Sequence, residues 1–195
     1  PPTCNREDVK VKVVLGGSRQ LSFIPEEVMD NLNSWMRDGV EFLVGEAKGT
    51  DAKFQEFFKF SKYSNVKIYY SGDYVRHNFG NWETEKIDSG LKTKSHAMHA
   101  AKDRTMTALA DTGLMIWDTL SAGTLSNLID LLNQGKTCQI YVAGEDSNLY
   151  YLNTEKDLDR WAERYPEVFE EAEKRLKTFA KRASKNEDTE GQTLF

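Results

Sequence analysis

Three short stretches carry the residue types that hold an anion: Gly16-Gly17-Ser18-Arg19, Gly45-Glu46-Ala47-Lys48-Gly49-Thr50-Asp51 and Ser121-Ala122-Gly123-Thr124. Each follows an apolar run and precedes a helical pattern. Glycine lets backbone amides approach an anion closely, and a helix start offers unsatisfied N–H groups with the positive end of its dipole. Ser18, Thr50 and Thr124 add hydroxyl donors, and Arg19 adds a planar fork suited to phosphate. For any one of them the plainer reading is a tight turn that needs a positive φ. Neither the dinucleotide pattern GxGxxG nor a P-loop occurs. Three such turns on one edge point to a phosphorylated ligand, with a nucleotide as the leading choice.

Cleavage of such a ligand at its glycosidic bond needs a carboxylate near the anomeric carbon and a group to assist the departing base. Asp118 directly follows an apolar run and is the carboxylate that topology directs into the cleft, unless it hydrogen-bonds the backbone of its own turn. Asp51, Asp103, Glu83 and Glu85 are the alternatives, with Asp51 read first as a helix cap. Trp82 could stack on a base or simply pack. His96 and His99 stand three apart on a helical pattern, but neither His77 nor any other residue completes a ligand set, so no metal and no cofactor are expected. A Ser-His-Asp triad has no local signature.

These residues sit in an alternation of strands and helices. The β-branched run at 9–15 ends at Gly16-Gly17, and Pro25-Glu26 opens a helix with Val28, Met29, Leu32 and Trp35-Met36 at helical spacing. A strand at 41–44, a helix from Asp51 and a strand at 65–70 follow. Residues 71–94 show no clean period and read as a long loop or insertion. A helix at about 95–110, a strand at 112–117, a helix at 125–134 and a strand at 136–142 complete the pattern. Such alternation predicts a doubly wound, mostly parallel α/β sheet of Rossmann-like form over 1–152, with ligands beyond the carboxyl ends of the strands. Helices at 154–164 and 167–182, separated at Pro166, form a C-terminal extension over 153–183. Its apolar stripe packs on its own domain or serves a homo-oligomer. Residues 184–195 read as a disordered tail.

Composition bounds the rest. The 195 residues are 39% hydrophobic and 29% charged, ordinary values for a water-soluble globular chain. A formal charge of −5 argues against a nonspecific nucleic-acid surface. No apolar run approaches the roughly 20 residues that cross a bilayer, and the N-terminus shows no signal-peptide core. Cys4, in an expected frayed end, and Cys138, in an expected buried strand, do not make a disulfide scaffold, so the expected compartment is the cytoplasm.

The series Gly16-Gly17-Ser18-Arg19, Gly49-Thr50-Asp51, Lys102-Asp103 with Met106, Ala110-Asp111 and Ser121-Ala122-Gly123-Thr124 resembles the SLOG superfamily. That group of Rossmann-like domains includes the Lonely-guy phosphoribohydrolases, the YpsA-like proteins and the DprA-type DNA-processing domain. The likeness covers roughly 9–142. It implies a nucleotide-like ligand over the strand ends, with Gly123-Thr124 at its phosphate and with Lys102, Asp103 and Asn127 nearby. The Lonely-guy enzymes add a catalytic glutamate after their Gly-Thr, helped by an arginine on the preceding helix. In this chain the glutamate position falls on Asn127 and the arginine position on Lys102, with Arg104 close by. An asparagine can bond a ribose hydroxyl but cannot stabilise a ribosyl cation as a carboxylate does. Binding or sensing of a nucleotide is therefore the expected function, ahead of N-glycosidic cleavage and of DNA binding.

Overall fold

The computed structural model describes residues 10–90, 96–144 and 147–191, with the side chains of His96 and of residues 186–191 left aside. Strands β1 (Lys12–Gly17), β2 (Glu41–Val44), β3 (Val66–Tyr70), β4 (Glu83–Lys86), β5 (Thr112–Trp117), β6 (Thr137–Val142) and β7 (Asn148–Leu152) form one sheet. Their order is β4-β3-β2-β1-β5-β6-β7, parallel throughout except for antiparallel β7. The helices are α1 (Glu26–Arg37), α2 (Thr50–Phe60), α3 (His96–Leu109), α4 (Ala122–Asn133), α5 (Asp159–Ala162) and α6 (Pro166–Gly191). The chain builds outward from β1 to β4, and α3 then returns it to lay β5 on the other side of β1. The doubly wound, Rossmann-like α/β sheet expected from the alternation is present, and its strand order reverses between β1 and β5.

Strand side chains alternate between two cores, as pleating requires. Val13, Leu15, Phe42, Val44, Ile68, Leu114 and Ile116 meet Val28 and Leu32 of α1 and Phe54 and Phe58 of α2. Val14, Leu43, Tyr69, Met115 and Trp117 face Met106 of α3, Leu125 and Leu128 of α4, and Phe169 and Ala172 of α6. Cys138 lies in the second core, where burial pushes its thiol pKa up; Cys4 is outside the described residues. Among the described residues no helix is long and apolar enough to cross a membrane.

Several boundaries differ from the sequence expectation. Gly16 and Gly17 are the last two residues of β1, paired with Met115 and Ile116, because β5 runs far enough to extend the ladder over them. The insertion contains β4, whose Glu-Thr-Glu-Lys sequence lacks β-branched runs but suits a charged sheet edge. Lys67 of β3 is 3.2 Å from Glu83 and 2.7 Å from Glu85, so these two carboxylates belong to the edge and leave the cleft. β7 was hidden by its antiparallel pairing. The expected helix at 154–164 is a short 3-10 turn, Glu155–Leu158, followed by the one-turn α5. Residues 184–191, expected as tail, continue α6, since each added residue of a nucleated helix gains one hydrogen bond.

The segment from Ser71 to Trp82 is clasped to the domain. The fully buried Glu46 carboxylate accepts from the Arg76 amide at 2.5 Å and from its Nε at 3.2 Å. Gln55 accepts from the Phe79 amide and donates to the carbonyls of His77 and Gly45. Trp82 donates to the Tyr63 carbonyl and packs, half-buried, beside the first core, so it braces the fold. Glu46→Ala should lower stability by roughly 1–3 kcal/mol, because it strips a buried charge-assisted set. In hydrogen exchange the amides of Arg76 and Phe79 should lose protection first. Unchanged protection there would show that the clasp is not what holds the segment.

Candidate functional site

At the carboxyl edge, over the β1–β5 reversal, lies a cavity of about 1340 Å³ bounded by α3, α4 and α6. Doubly wound sheets place ligands at this position because the loops from the two central strands diverge there. Gly16, Gly17, Arg19, Gly45, Asp51, Lys102, Asp103, Asp118, Ser121, Gly123, Thr124 and Asn127 all line it. Ser18, Gly49 and Thr50 do not, and their contacts explain why. The Thr50 hydroxyl donates to the Ser18 carbonyl at 2.8 Å, and the Asp118 amide donates to Ser18 Oγ at 3.1 Å. Gly49, at φ +80°, runs so close to the Arg19 carbonyl that a Cβ would collide with it. These three residues tie the turns to one another, and the hydroxyls of Ser18 and Thr50 are spent on that task.

Asp51 is not the helix cap expected of it. The cap position of α2 is Gly49, which has no side chain to offer, and the Asp51 carboxylate turns back to accept from the Ala47 amide at 3.2 Å. Burial pushes its pKa up; the Lys102 ammonium opposes this and the Asp103 carboxylate reinforces it. Lys102 is 5% exposed, so its charge lies on the buried cavity wall and not in open solvent. Asp118 accepts at Oδ1 from the Leu120 amide at 3.0 Å and the Ser121 amide at 2.8 Å. That is the turn-holding alternative, realised on the cavity wall. Between them Thr119 adopts φ +66°, unusual for a β-branched residue, and turns Leu120 out to 76% exposure at the rim.

The start of α4 is the most organised part of the wall. Ser121 caps it, accepting from the Thr124 amide at 3.4 Å and sharing a 3.0 Å bond with the Thr124 hydroxyl. Among the described residues the amides of Ala122 and Gly123 meet no acceptor. Arg175 of α6 brings Nη1 to 3.4 Å from the position a Cβ on Gly123 would take. Its Nε stays on Glu171 at 3.1 Å, which holds the fork in place.

Arg104 of α3, not Lys102, meets Asn127. Its Nη2 donates to Asn127 Oδ1 and its Nη1 donates to the Ser126 carbonyl, with Asp130 at 3.4 Å. Arg104 Nε is buried without a hydrogen-bond partner. Sequence reasoning missed Arg175, Lys174 and Arg182, all on the cavity wall. The i,i+4 spacing of Glu171 and Arg175 points only to an ion pair along one helix, and it is the packing of α6 on α4 that brings Arg175 to the cavity. His99 also lines the cavity, with Nδ1 at 3.3 Å from Ser71 Oγ. Among the described residues no three His, Cys, Asp or Glu side chains converge as a metal set.

No family model matches the chain, and neither does any curated protein or solved structure.

His99 provides a probe of that geometry. Burial foremost, then the charges of Lys102, Arg19 and Arg76, hold its pKa below the ordinary 6.5. In an NMR titration its midpoint should fall below that of an exposed histidine. A multivalent anion in the cavity offsets the same cations, favours the imidazolium and moves the midpoint upward. A midpoint at the ordinary value, indifferent to added pyrophosphate, would place His99 outside the cavity's field.

Proposed function

We propose that this chain binds a nucleotide or nucleotide-derived ligand over the carboxyl edge of its sheet, with the phosphate at the start of α4, and that it acts by recognition. The observation that carries the reading is the pairing of the open Ala122 and Gly123 amides with the Arg175 guanidinium across one wall of the cavity. A helix N-terminus attracts anions through its free N–H groups and dipole, and a guanidinium adds a charge-assisted fork. The cavity exceeds what a phosphate alone would fill, which supports a ligand with a sugar and a base attached.

Recognition is preferred to cleavage for two reasons. Asp118 Oδ1 already serves two amides of its own turn, and Asn127 is engaged by Arg104. Within the resemblance to the SLOG group, Asn127 stands at the glutamate position with an amide in place of the carboxylate, and the guanidinium that meets it comes from Arg104, next to the arginine position at Lys102. A fixed guanidinium remains useful for orientation, but the carboxylate beside it, Asp130, does not line the cavity and so is not placed to stabilise a ribosyl cation.

The test is a panel of nucleoside mono-, di- and triphosphates, read by thermal shift and calorimetry. At least one should stabilise the protein, since a ligand at 100 times its Kd adds about 2.7 kcal/mol. Gly123→Asp, which sets a carboxylate among the phosphate donors, should abolish that gain, and Arg175→Ala should weaken binding roughly tenfold. Lys59→Ala, at the opposite end of α2 from Asp51 and off the cavity wall, should bind as the parent does. Equal loss in Lys59→Ala and Gly123→Asp would sink the site. Chromatography of the same mixtures should show no free base; its release would make the chain an N-glycosidase.

A further inference from the structure

The far wall of the cavity, away from α4, presents a second polar cluster with a different charge balance. Lys102 reaches from α3 over Gly45, and a Cβ on that glycine would collide with both Asp51 Oδ2 and Lys102 Nζ. Gly45 is thus a notch that lets an ammonium and a carboxylate lie against the end of β2. The Lys102 side chain is only 6% exposed, and its nearest carboxylate oxygen, on Asp103, is 3.6 Å away. That is an ion pair but too long for a hydrogen bond, and among the described residues the ammonium makes none. Buried ammonium groups are costly to leave with unfilled donors, so one facing a cavity marks a place where a ligand atom belongs.

The chemistry of that ligand atom follows from the surroundings. Two carboxylates, Asp51 and Asp103, face the Lys102 ammonium and the Arg19 guanidinium, whose charge also reaches Asp51, so the cluster is balanced and lacks the surplus positive charge that a second phosphate needs. A bare cation is disfavoured too, because the ammonium occupies the space between the acids and repels it. What matches three ammonium donors beside carboxylate acceptors is a neutral group that both donates and accepts at adjacent atoms. Vicinal hydroxyls are such a group: each oxygen accepts from Lys102 and each hydrogen is given to a carboxylate.

We infer that Lys102, Asp51 and Asp103 form a sugar subsite that reads the 2′- and 3′-hydroxyls of a ribose, so that the ligand is a ribonucleotide and not a deoxyribonucleotide. This rests on the phosphate reading above, since the subsite names the middle of a ligand whose phosphate is at α4. Sites built to bond a hydroxyl reject analogues that lack it, because their own polar groups are then left unpaired.

The experiment compares the adenosine, guanosine, cytidine and uridine 5′-monophosphates with their 2′-deoxy counterparts by calorimetry. It uses the full chain and the variants Lys102→Met and Asp103→Asn. Pyrophosphate serves as the sugar-free control. The best ribonucleotide should bind at least about tenfold more tightly than its deoxy analogue, and both variants should erase most of that ratio. Pyrophosphate binding should survive Asp103→Asn and disappear in Gly123→Asp. Because Lys102→Met could unfold the chain, the more exposed Asp103 provides the independent variant. Equal affinity for ribose and deoxyribose overturns the subsite and leaves the phosphate reading standing. So does a ribose preference that persists in Asp103→Asn. Failure of every nucleotide and of pyrophosphate to bind overturns both.

Discussion

The site depends on a small hydrogen-bonded junction at Ser18. Its amide donates to the Ile116 carbonyl at 3.0 Å, adding one more rung beyond the β1–β5 ladder. Its carbonyl accepts from the Thr50 hydroxyl, and its own hydroxyl accepts from the Asp118 amide. The residue is fully buried, so each bond forms away from competing water, where an unfilled partner would be costly. One serine therefore fixes the relative positions of the ends of β1 and β5 and the start of α2. A cleft of defined width exists over the reversal point because those three pieces cannot drift apart independently.

Around that junction the charges are arranged in opposing regions. The α4 end has free amides, a helix dipole and Arg175, a combination that accepts concentrated negative charge. The Gly45 end balances the cations of Lys102 and Arg19 against two acids, a combination suited to neutral hydroxyls. The raised pKa of Asp51 follows from the same crowding, since burial and the neighbouring Asp103 both disfavour its ionised form. His99, held below its usual pKa between these regions, adds a neutral imidazole to the wall under ordinary conditions. A ligand with a phosphate at one end and a polyol further along satisfies both regions at once, whereas a ligand charged at both ends does not.

How much of this was legible in the sequence depends on the range of the interaction. Val13 to Leu15, Phe42 to Val44 and Leu114 to Trp117 announce buried parallel strands through apolar runs, because a strand covered on both faces has no polar alternate. The three glycine-bearing turns were readable for the same local reason. Their roles were not: Thr50 and Ser18 look like ligand donors until the pairing across 32 residues is known. β4 was invisible because an edge strand needs charge where an inner strand needs Val or Ile. The i,i+4 spacing of Glu171 and Arg175 is enough to expect their ion pair, and that pair exists. What spacing alone could not give is that α6 crosses α4, which turns a surface arginine into part of the cavity wall.

That crossing joins the C-terminal helix to the cavity through Trp117. The indole ends β5, fully buried, and donates from Nε1 to the Ser121 carbonyl at 3.0 Å, immediately before α4 begins. Its ring meets Tyr165 edge-on at 5.7 Å and Phe169 at 6.4 Å, the residues that enter and open α6. The same side chain thus orients the helix start that offers amides and the helix that offers Arg175. Aromatic edge contacts have narrow preferred geometries, so the two donor groups are held in register by apolar packing. An anion bound between them adds a polar tie across a joint that the aromatic residues already close. By linkage, any ligand that requires α6 in place strengthens the docking of α6 by the same free energy that docking contributes to binding.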